Sequence, residues 1–312
     1  MTITPPDKQL QSASPSDDRV RQMSDQLIYE LTRAMSLHQR PGVSRLLRLL
    51  MGGQAEHLAR IAIGYDDEIG RAGLAAGGRW LVPHFVAGYD ADGVERIPAE
   101  GPLLIVSNHP AALDGFLISS FVERRDFKVV VGEIPVWKYL PNFCSHAIWS
   151  PKAADTAGRM QTVRNAVRHL ESGGALLTFP RGTIEPDPSF MADPDVDFGK
   201  WSRSLEIFLN RVPQTRVLVT MVSGVIAPQA ARNILTWSRR GRGEKQRLAF
   251  MYQFIRQTIT GKELYGLRPR VTFGELLSTA THGQVMPEIQ RSALRTLQFH
   301  LSRLRALRPA RT

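Results

Sequence analysis

Short apolar segments alternate with helical patterns through the middle of the chain. The apolar segments have the length of buried strands and occupy residues 103–106, 128–131, 175–179 and 217–222. Apolar residues at a helical period follow several of them, at residues 111–121, 155–171 and 200–209. Strands that alternate with helices are typical of an α/β fold. The pattern therefore predicts a mixed or mostly parallel sheet flanked by helices.

The two ends of the chain have different patterns. Residues 1–18 are polar and rich in Pro, Ser and Asp, and this predicts a disordered tail. Residues 19–81 have a helical period, which predicts an N-terminal helical subdomain that packs on the core or lies on anionic lipid. Residues 82–285 form the α/β domain. Residues 286–312 are a basic amphipathic helix that packs against the body or anchors to a membrane.

The charge and composition of the chain limit the classes of partner that it can bind. The chain has 312 residues, with 40 Lys and Arg against 29 Asp and Glu, so its formal net charge is +11. A basic surface favours anionic partners such as nucleic acid, anionic lipid or phosphorylated small molecules. The one cysteine, Cys144, excludes an intrachain disulfide. We find no signal peptide and no apolar run near the roughly 20 residues of a spanning helix, and therefore expect a cytoplasmic protein.

The first candidate for chemistry directly follows the strand predicted at residues 103–106. It reads Ser-Asn-His-Pro-Ala-Ala-Leu-Asp and contains Asn108, His109 and Asp114. Pro110 favours an extended backbone at His109 and begins a helix, so the imidazole can fold back over the first turn and meet Asp114. An imidazole that a carboxylate orients is the base of a catalytic triad without its nucleophile. This predicts that the substrate supplies the hydroxyl.

The second candidate follows the strand predicted at residues 175–179 and reads Phe-Pro-Arg-Gly-Thr. A tight Pro-x-Gly turn exposes backbone N–H groups, and the guanidinium of Arg181 adds further donors. Together these groups can hold a phosphate.

Both segments resemble the glycerol-phosphate and lysophosphatidic-acid acyltransferase family. Asn108-His109 through Asp114 is similar to its N-H-x4-D block, and Phe179-Pro180-x-Gly182-Thr183 to its F-P-E-G-T block. The likeness covers roughly residues 88–228. It implies that residues 82–285 are an acyltransferase catalytic domain, in which His109 is the general base and Asp114 orients it. It also implies that Asn108 and Pro180 support the loops and oxyanion, and that Arg181, Gly182 and Thr183 bind substrate.

This sequence departs from the family at several positions. The acidic residue of the second block is Arg181 here, and the following arginine is Ile184. An Asp-Arg pair between the blocks has no counterpart, and Lys152 is the substitute that we name for substrate binding. These changes leave the acceptor open.

The resemblance implies a peripheral membrane enzyme on the inner face of the membrane. Its partners would be an acyl donor, acyl-CoA or acyl-carrier protein, a lipid or glycerol-phosphate acceptor, and an anionic membrane surface. It would need no metal and no cofactor, and it would bind no nucleic acid. Alternatives are another lipid acceptor, a thioesterase and a degenerate lipid-binding relative. The basic loop at residues 239–242 is either a solvated turn or a contact with lipid headgroups or the carrier's phosphate.

Overall fold

The computed structural model describes residues 2–3, 17–34, 41–151, 155–278 and 285–306. Within these residues the chain forms one eight-stranded sheet with helices on both faces. The strands are β1 (Thr2–Ile3), β2 (Tyr89–Asp92), β3 (Leu103–Ser107), β4 (Lys128–Gly132), β5 (Ala147–Ser150), β6 (Ala175–Thr178), β7 (Arg216–Ser223) and β8 (Arg270–Ser278). The helices are α1 (Asp17–Ala34), α2 (Pro41–Ala72), α3 (Leu74–Leu81), α4 (Asp114–Ser119), α5 (Pro141–Ser145), α6 (Thr156–Glu171), α7 (Ser204–Arg211), α8 (Pro228–Ala231), α9 (Arg242–Thr260) and α10 (Val285–Ala306).

The sheet is mixed and mostly parallel, so the predicted fold class is confirmed. Its order is β1-β2-β8-β7-β3-β6-β4-β5, and the five strands from β7 to β5 are mutually parallel. Strand β8 runs antiparallel to β7, and β2 is parallel to β8. The mixed edge therefore begins beside β7, while the parallel strands β6, β3 and β7 form the centre.

Alternate residues of β3 enter two separate cores. Leu103 and Ile105 pack with residues of α1 to α4 and α9, whereas Leu104 and Val106 pack with residues of α6, α7 and α10. All four side chains are fully buried. A strand that is covered on both faces reads as a continuous apolar run, which is why the sequence predicted β3 correctly.

The two ends of the chain test the terminal predictions only in part. Of the predicted tail, the structure describes Thr2–Ile3, which pair with β2, and the first two residues of α1. Residues 4–16 lie outside the described residues, so the predicted disorder stays a prediction. Helix α10 packs on β7 and β8 through Ile289, Ala293 and Leu297, whereas Leu294 is exposed. Across the described ranges of the chain, no helix is both long enough and apolar enough to cross a bilayer.

Candidate active site

Three neighbouring parallel strands end at the same edge of the sheet. Val106 of β3 lies opposite Thr178 of β6, and Ser107 lies opposite Thr220 of β7. The loops after these strands therefore leave the sheet side by side, where open α/β sheets place their ligands. Both segments that the sequence singled out lie in these loops.

His109 and Asp114 are in contact. The Nδ1 atom of His109 lies 3.0 Å from Oδ2 of Asp114, which also accepts a hydrogen bond from the N–H of Ala111 at 2.9 Å. Because a carboxylate only accepts, the ring donates from Nδ1 and keeps its lone pair on Nε2. The helix begins at Asp114 rather than at residue 111, and before it Asp114 closes a turn over residues 111–114 through the N–H and the carbonyl of Ala111.

The environment of Asp114 is unusual for a carboxylate. Its side chain is fully buried, and its Oδ1 atom has no hydrogen-bond partner among the described residues. Burial raises the pKa of Asp114 to about 6, although the hydrogen bond and charge of His109 act to lower it. The imidazole itself remains a quarter exposed. A buried carboxylate therefore orients a ring that substrate can reach.

Phe179 and Glu185 also hold His109, the first through its ring and the second through its backbone. The ring of Phe179 stacks on it, with centroids 4.4 Å apart. The N–H of His109 donates to Oε2 of Glu185 at 3.0 Å, and the N–H of Glu185 donates to the carbonyl of His109 at 2.9 Å. The indole of Trp201 donates to Oε1 of Glu185 at 2.9 Å. Burial raises the pKa of Glu185 to about 8, against the hydrogen bond from Trp201. This carboxyl is therefore protonated at neutral pH.

A glutamine on α9 joins the two loops. The side-chain amide of Gln246 donates to the carbonyls of Pro110 and Glu185, at 2.8 and 2.6 Å. Neither Glu185 nor Gln246 was predicted as part of the site. Glu185 stands two positions after Thr183, and that closeness to the second block was a usable signal. Gln246 belongs to a helix that we did not predict, so it gave none.

Two buried side chains bind the third loop to the others. The amide of Asn108 donates to the carbonyl of Val222 and accepts from its N–H, at 2.9 and 2.8 Å. The buried carboxylate of Asp187 accepts from the N–H groups of Gly224 and Val225. Asn108 thus holds β3 to β7.

The second segment forms the expected tight turn. The N–H of Gly182 donates to the carbonyl of Phe179 at 3.0 Å, and Gly182 has a φ of 68°, which favours glycine. Pro180 is buried, and its carbonyl accepts from the N–H of Ser202 at 2.9 Å. Gly182 and Thr183 are exposed at the tip.

Arg181 leads a small cationic cluster. Its Nε lies 3.3 Å from Oδ1 of Asp197, which Lys200 also contacts at 2.9 Å, and Arg242 lies 3.8 Å from the other oxygen. Burial acts to raise the pKa of Asp197, but the hydrogen bond from Lys200 and the charges of Lys200 and Arg181 hold that pKa below its usual value. Three cations share one carboxylate, so the cluster stays positive. Lys152 lies outside the described residues, and its predicted role is untested. In the described part of the chain no cluster of His, Cys, Asp and Glu could hold a metal ion.

One family model matches part of the chain. Residues 89–208 match the Acyltransferase family model. This range contains both segments from which the sequence resemblance was drawn. No curated protein matches the chain.

One solved structure resembles the chain along most of its length. It is the 1-acyl-sn-glycerophosphate (LPA) acyltransferase PlsC from Thermotoga maritima, with 14% sequence identity and a TM-score of 0.45. The alignment covers 94% of this chain and 99% of that chain.

Proposed function

We propose that this protein is an acyltransferase and that it acylates a lipid or glycerol-phosphate acceptor, which the match of residues 89–208 to the Acyltransferase family model supports. The acyl group comes from a thioester and ends as an ester on a hydroxyl of the acceptor. The observation that supports this most directly is the contact between His109 and the buried Asp114 at the carboxyl edge of β3.

His109 is the proposed general base. Its Nε2 atom takes the proton of the acceptor hydroxyl as the oxygen attacks the thioester carbonyl. Asp114 stabilises the imidazolium that forms. The tetrahedral intermediate then collapses, the carbon–sulfur bond breaks, and the thiolate leaves with the proton that His109 returns. Each proton passes through this one side chain, so the mechanism needs no cofactor beyond the acyl donor.

The cluster of Arg181, Lys200 and Arg242 supports a phosphate-bearing substrate. A phosphate beside the turn at Gly182 and Thr183 would meet an excess of positive charge over the single carboxylate of Asp197. A guanidinium binds phosphate through two parallel donors. We propose that Arg181 binds the acceptor phosphate, in the block where the family's acidic residue would stand.

The donor and the location belong to the same proposal. Acyl-CoA and acyl-carrier protein both present the acyl group as a thioester with a phosphate nearby, so either suits the cluster. A lipid acceptor resides in a membrane, and the net charge of +11 favours an anionic surface. We therefore propose that the enzyme acts at the inner face of the membrane as a peripheral protein.

An acyl-transfer assay tests the function. Purified protein is given palmitoyl-CoA or palmitoyl-carrier protein with glycerol 3-phosphate, lysophosphatidate or lysophosphatidylglycerol, and products are identified by mass spectrometry. We expect a new ester, and its rate should fall about 10²- to 10⁴-fold in His109→Ala, the usual contribution of a general base. The control is His57→Ala, a change at an exposed histidine of α2, which should leave the rate unchanged.

Other outcomes would identify the alternatives. Release of free thiol without an ester would indicate a thioesterase. Folded protein that neither transfers nor hydrolyses with any donor would indicate a lipid-binding relative without the chemistry. An Arg181→Gln variant should raise KM for a phosphate-bearing acceptor more than it lowers kcat.

A further inference from the structure

Three large apolar side chains of one short segment face solvent. Ile234, Leu235 and Trp237 are 70%, 52% and 73% exposed, and they lie on a 3₁₀ turn, Ile234–Ser238. The turn is well held, because Asn233 caps it by accepting from the N–H of Leu235 and the buried Thr236 hydroxyl donates to the carbonyl of Asn233. Exposed apolar groups on a well-held turn mark a surface that a partner covers.

Cations surround this apolar turn. Residues 232–247 contain six Lys and Arg and one acidic residue, Glu244. Arg232, Arg239, Arg240 and Arg242 are all exposed. Trp and aliphatic side chains enter the boundary between headgroups and acyl chains, while arginines bind lipid phosphates. This combination fits an anionic bilayer, which offers charge at its surface and an apolar layer beneath it.

The turn lies next to the candidate active site. Helix α9 begins at Arg242, and Gln246, about one turn along it, donates to the carbonyls of Pro110 and Glu185. A Cβ atom on Gly243 would lie 3.5 Å from the carbonyl of Ile184, which comes directly after the second block. A membrane that contacts this turn would therefore lie close to His109 and Arg181.

We propose that residues 232–242, the docking surface, bind the enzyme to an anionic lipid membrane. Ile234, Leu235 and Trp237 enter the headgroup region, and the arginines contact lipid phosphates around them. The inference rests on the proposed lipid acceptor, because docking here would bring that acceptor to the site. Nucleic acid is a poorer fit, since it offers no apolar layer to the aliphatic side chains.

Co-sedimentation with vesicles tests the proposal. The vesicles contain phosphatidylcholine with about a third phosphatidylglycerol. At this content of anionic lipid, each arginine near the surface is expected to contribute to binding. The double variant Ile234→Ser/Trp237→Ser should bind at least about tenfold more weakly. Arg239→Gln and Arg240→Gln should each weaken binding about fivefold and reduce its sensitivity to salt. A matched control is Leu294→Ser/Phe299→Ser, which changes two exposed apolar residues of α10 and should bind like the wild type.

A second assay separates docking from transfer. With acetyl-CoA or butyryl-CoA and glycerol 3-phosphate, all in solution, the docking variants should react as the wild type does. With an acceptor embedded in vesicles, their rate should fall in parallel with binding. Normal vesicle binding by Ile234→Ser/Trp237→Ser would overturn the proposal, and so would a loss confined to carrier-protein donors, which would assign the surface to that protein. If the variants lose vesicle binding although the wild type transfers no acyl group, the docking proposal stands and the proposed function fails.

Discussion

Asp114 combines deep burial with few partners. Two donors, the His109 ring and the N–H of Ala111, share its Oδ2 atom, while Oδ1 has no hydrogen-bond partner in the described residues. Burial raises the pKa of this carboxyl to about 6, so it is ionised mainly above that pH. Its charge is most useful when His109 becomes positive, since the ion pair then replaces the lost hydration. The residue therefore stabilises the transition state more than the resting enzyme.

We predict an acidic limb in the pH profile of acyl transfer. The value of kcat/KM should fall as pH drops through about 6, because the carboxyl of Asp114 then takes up a proton and no longer stabilises the imidazolium. Asp114→Asn should lose about 10²- to 10⁴-fold in kcat at pH 7.5. Circular dichroism over the same range shows whether the fold persists. An Asp114→Asn variant as active as the wild type would rule out this role.

Burial of Glu185 lowers the free energy of unfolding by an amount that depends on pH. The unfolded chain ionises this carboxyl above its ordinary pKa of about 4.5, whereas the folded protein keeps it protonated up to about 8. The group therefore lowers the free energy of unfolding progressively as pH rises from about 4.5 to 8, and the loss is complete above 8. The hydrogen bonds that Glu185 accepts from His109 and Trp201 stabilise the folded protein.

Glu185→Gln should remove this dependence. Glutamine cannot ionise, so relative to the wild type the variant should be least stable near pH 5 and should gain stability towards pH 8. The variant should also have a lower kcat. The amide nitrogen of glutamine cannot accept a hydrogen bond, so the N–H of either His109 or Trp201 loses its acceptor. Urea denaturation at three pH values and steady-state kinetics measure both effects. A difference in stability that does not change with pH would contradict the burial argument.

At the level of elements, α9 is the helix that the sequence did not predict. Gln246, Gln253 and Gln257 look like a polar face, yet all three are buried. They donate to the carbonyls of Pro110, Val225 and Phe85. An apolar pattern cannot predict a helix whose inner face is amide, since its partners are backbone groups distant in sequence. The helix therefore appeared only in the structure.

Burial also decided which strands could be predicted. Three of the four predicted strands, β3, β6 and β7, are buried on both faces and read as apolar runs. Strand β2 reads Tyr-Asp-Ala-Asp and was missed, because Arg270 of β8 pairs with both of its carboxylates across the sheet. Strands β1, β5 and β8 were missed as well. His109, Asp114 and the second turn were within reach of the sequence because each comes soon after a buried strand, whereas Trp201 reaches the site through a long loop.

The glutamines of α9 provide a matched pair. Gln246→Leu leaves the carbonyls of Pro110 and Glu185 buried without a donor, and Gln257→Leu does the same to the carbonyl of Phe85. Each should lower the free energy of unfolding by about 1–3 kcal/mol per unpaired carbonyl. Gln246→Leu alone should also lower kcat, since it releases the loops of His109 and Glu185. Thermal denaturation and the transfer assay measure the two effects, and an equal loss of kcat in both variants would contradict a positioning role.

On the scale of the whole molecule, buried polar contacts join α10 to the sheet in addition to apolar packing. Between β7, β8 and α10, the ring of His300 contacts the hydroxyls of Thr272 and Ser223, each at 2.7 Å. Its side chain is fully buried. Burial lowers the pKa of His300 to about 4, and the charge of Arg270 acts in the same direction against that of Asp92. A neutral imidazole thus joins α10 to the sheet through hydrogen bonds.

This imidazole should make the fold sensitive to acid. Below about pH 6.5 the unfolded chain protonates His300 while the folded protein does not, so stability falls with pH until about pH 4. The full loss from this group is about 3 kcal/mol. His300→Gln should be less stable than the wild type at pH 7.5 but should lose less between pH 6.5 and 4, whereas His57→Gln, at an exposed site on α2, should behave like the wild type. Urea denaturation across this range measures the difference. Parallel curves for the wild type and His300→Gln would show that α10 opens before His300 takes up its proton.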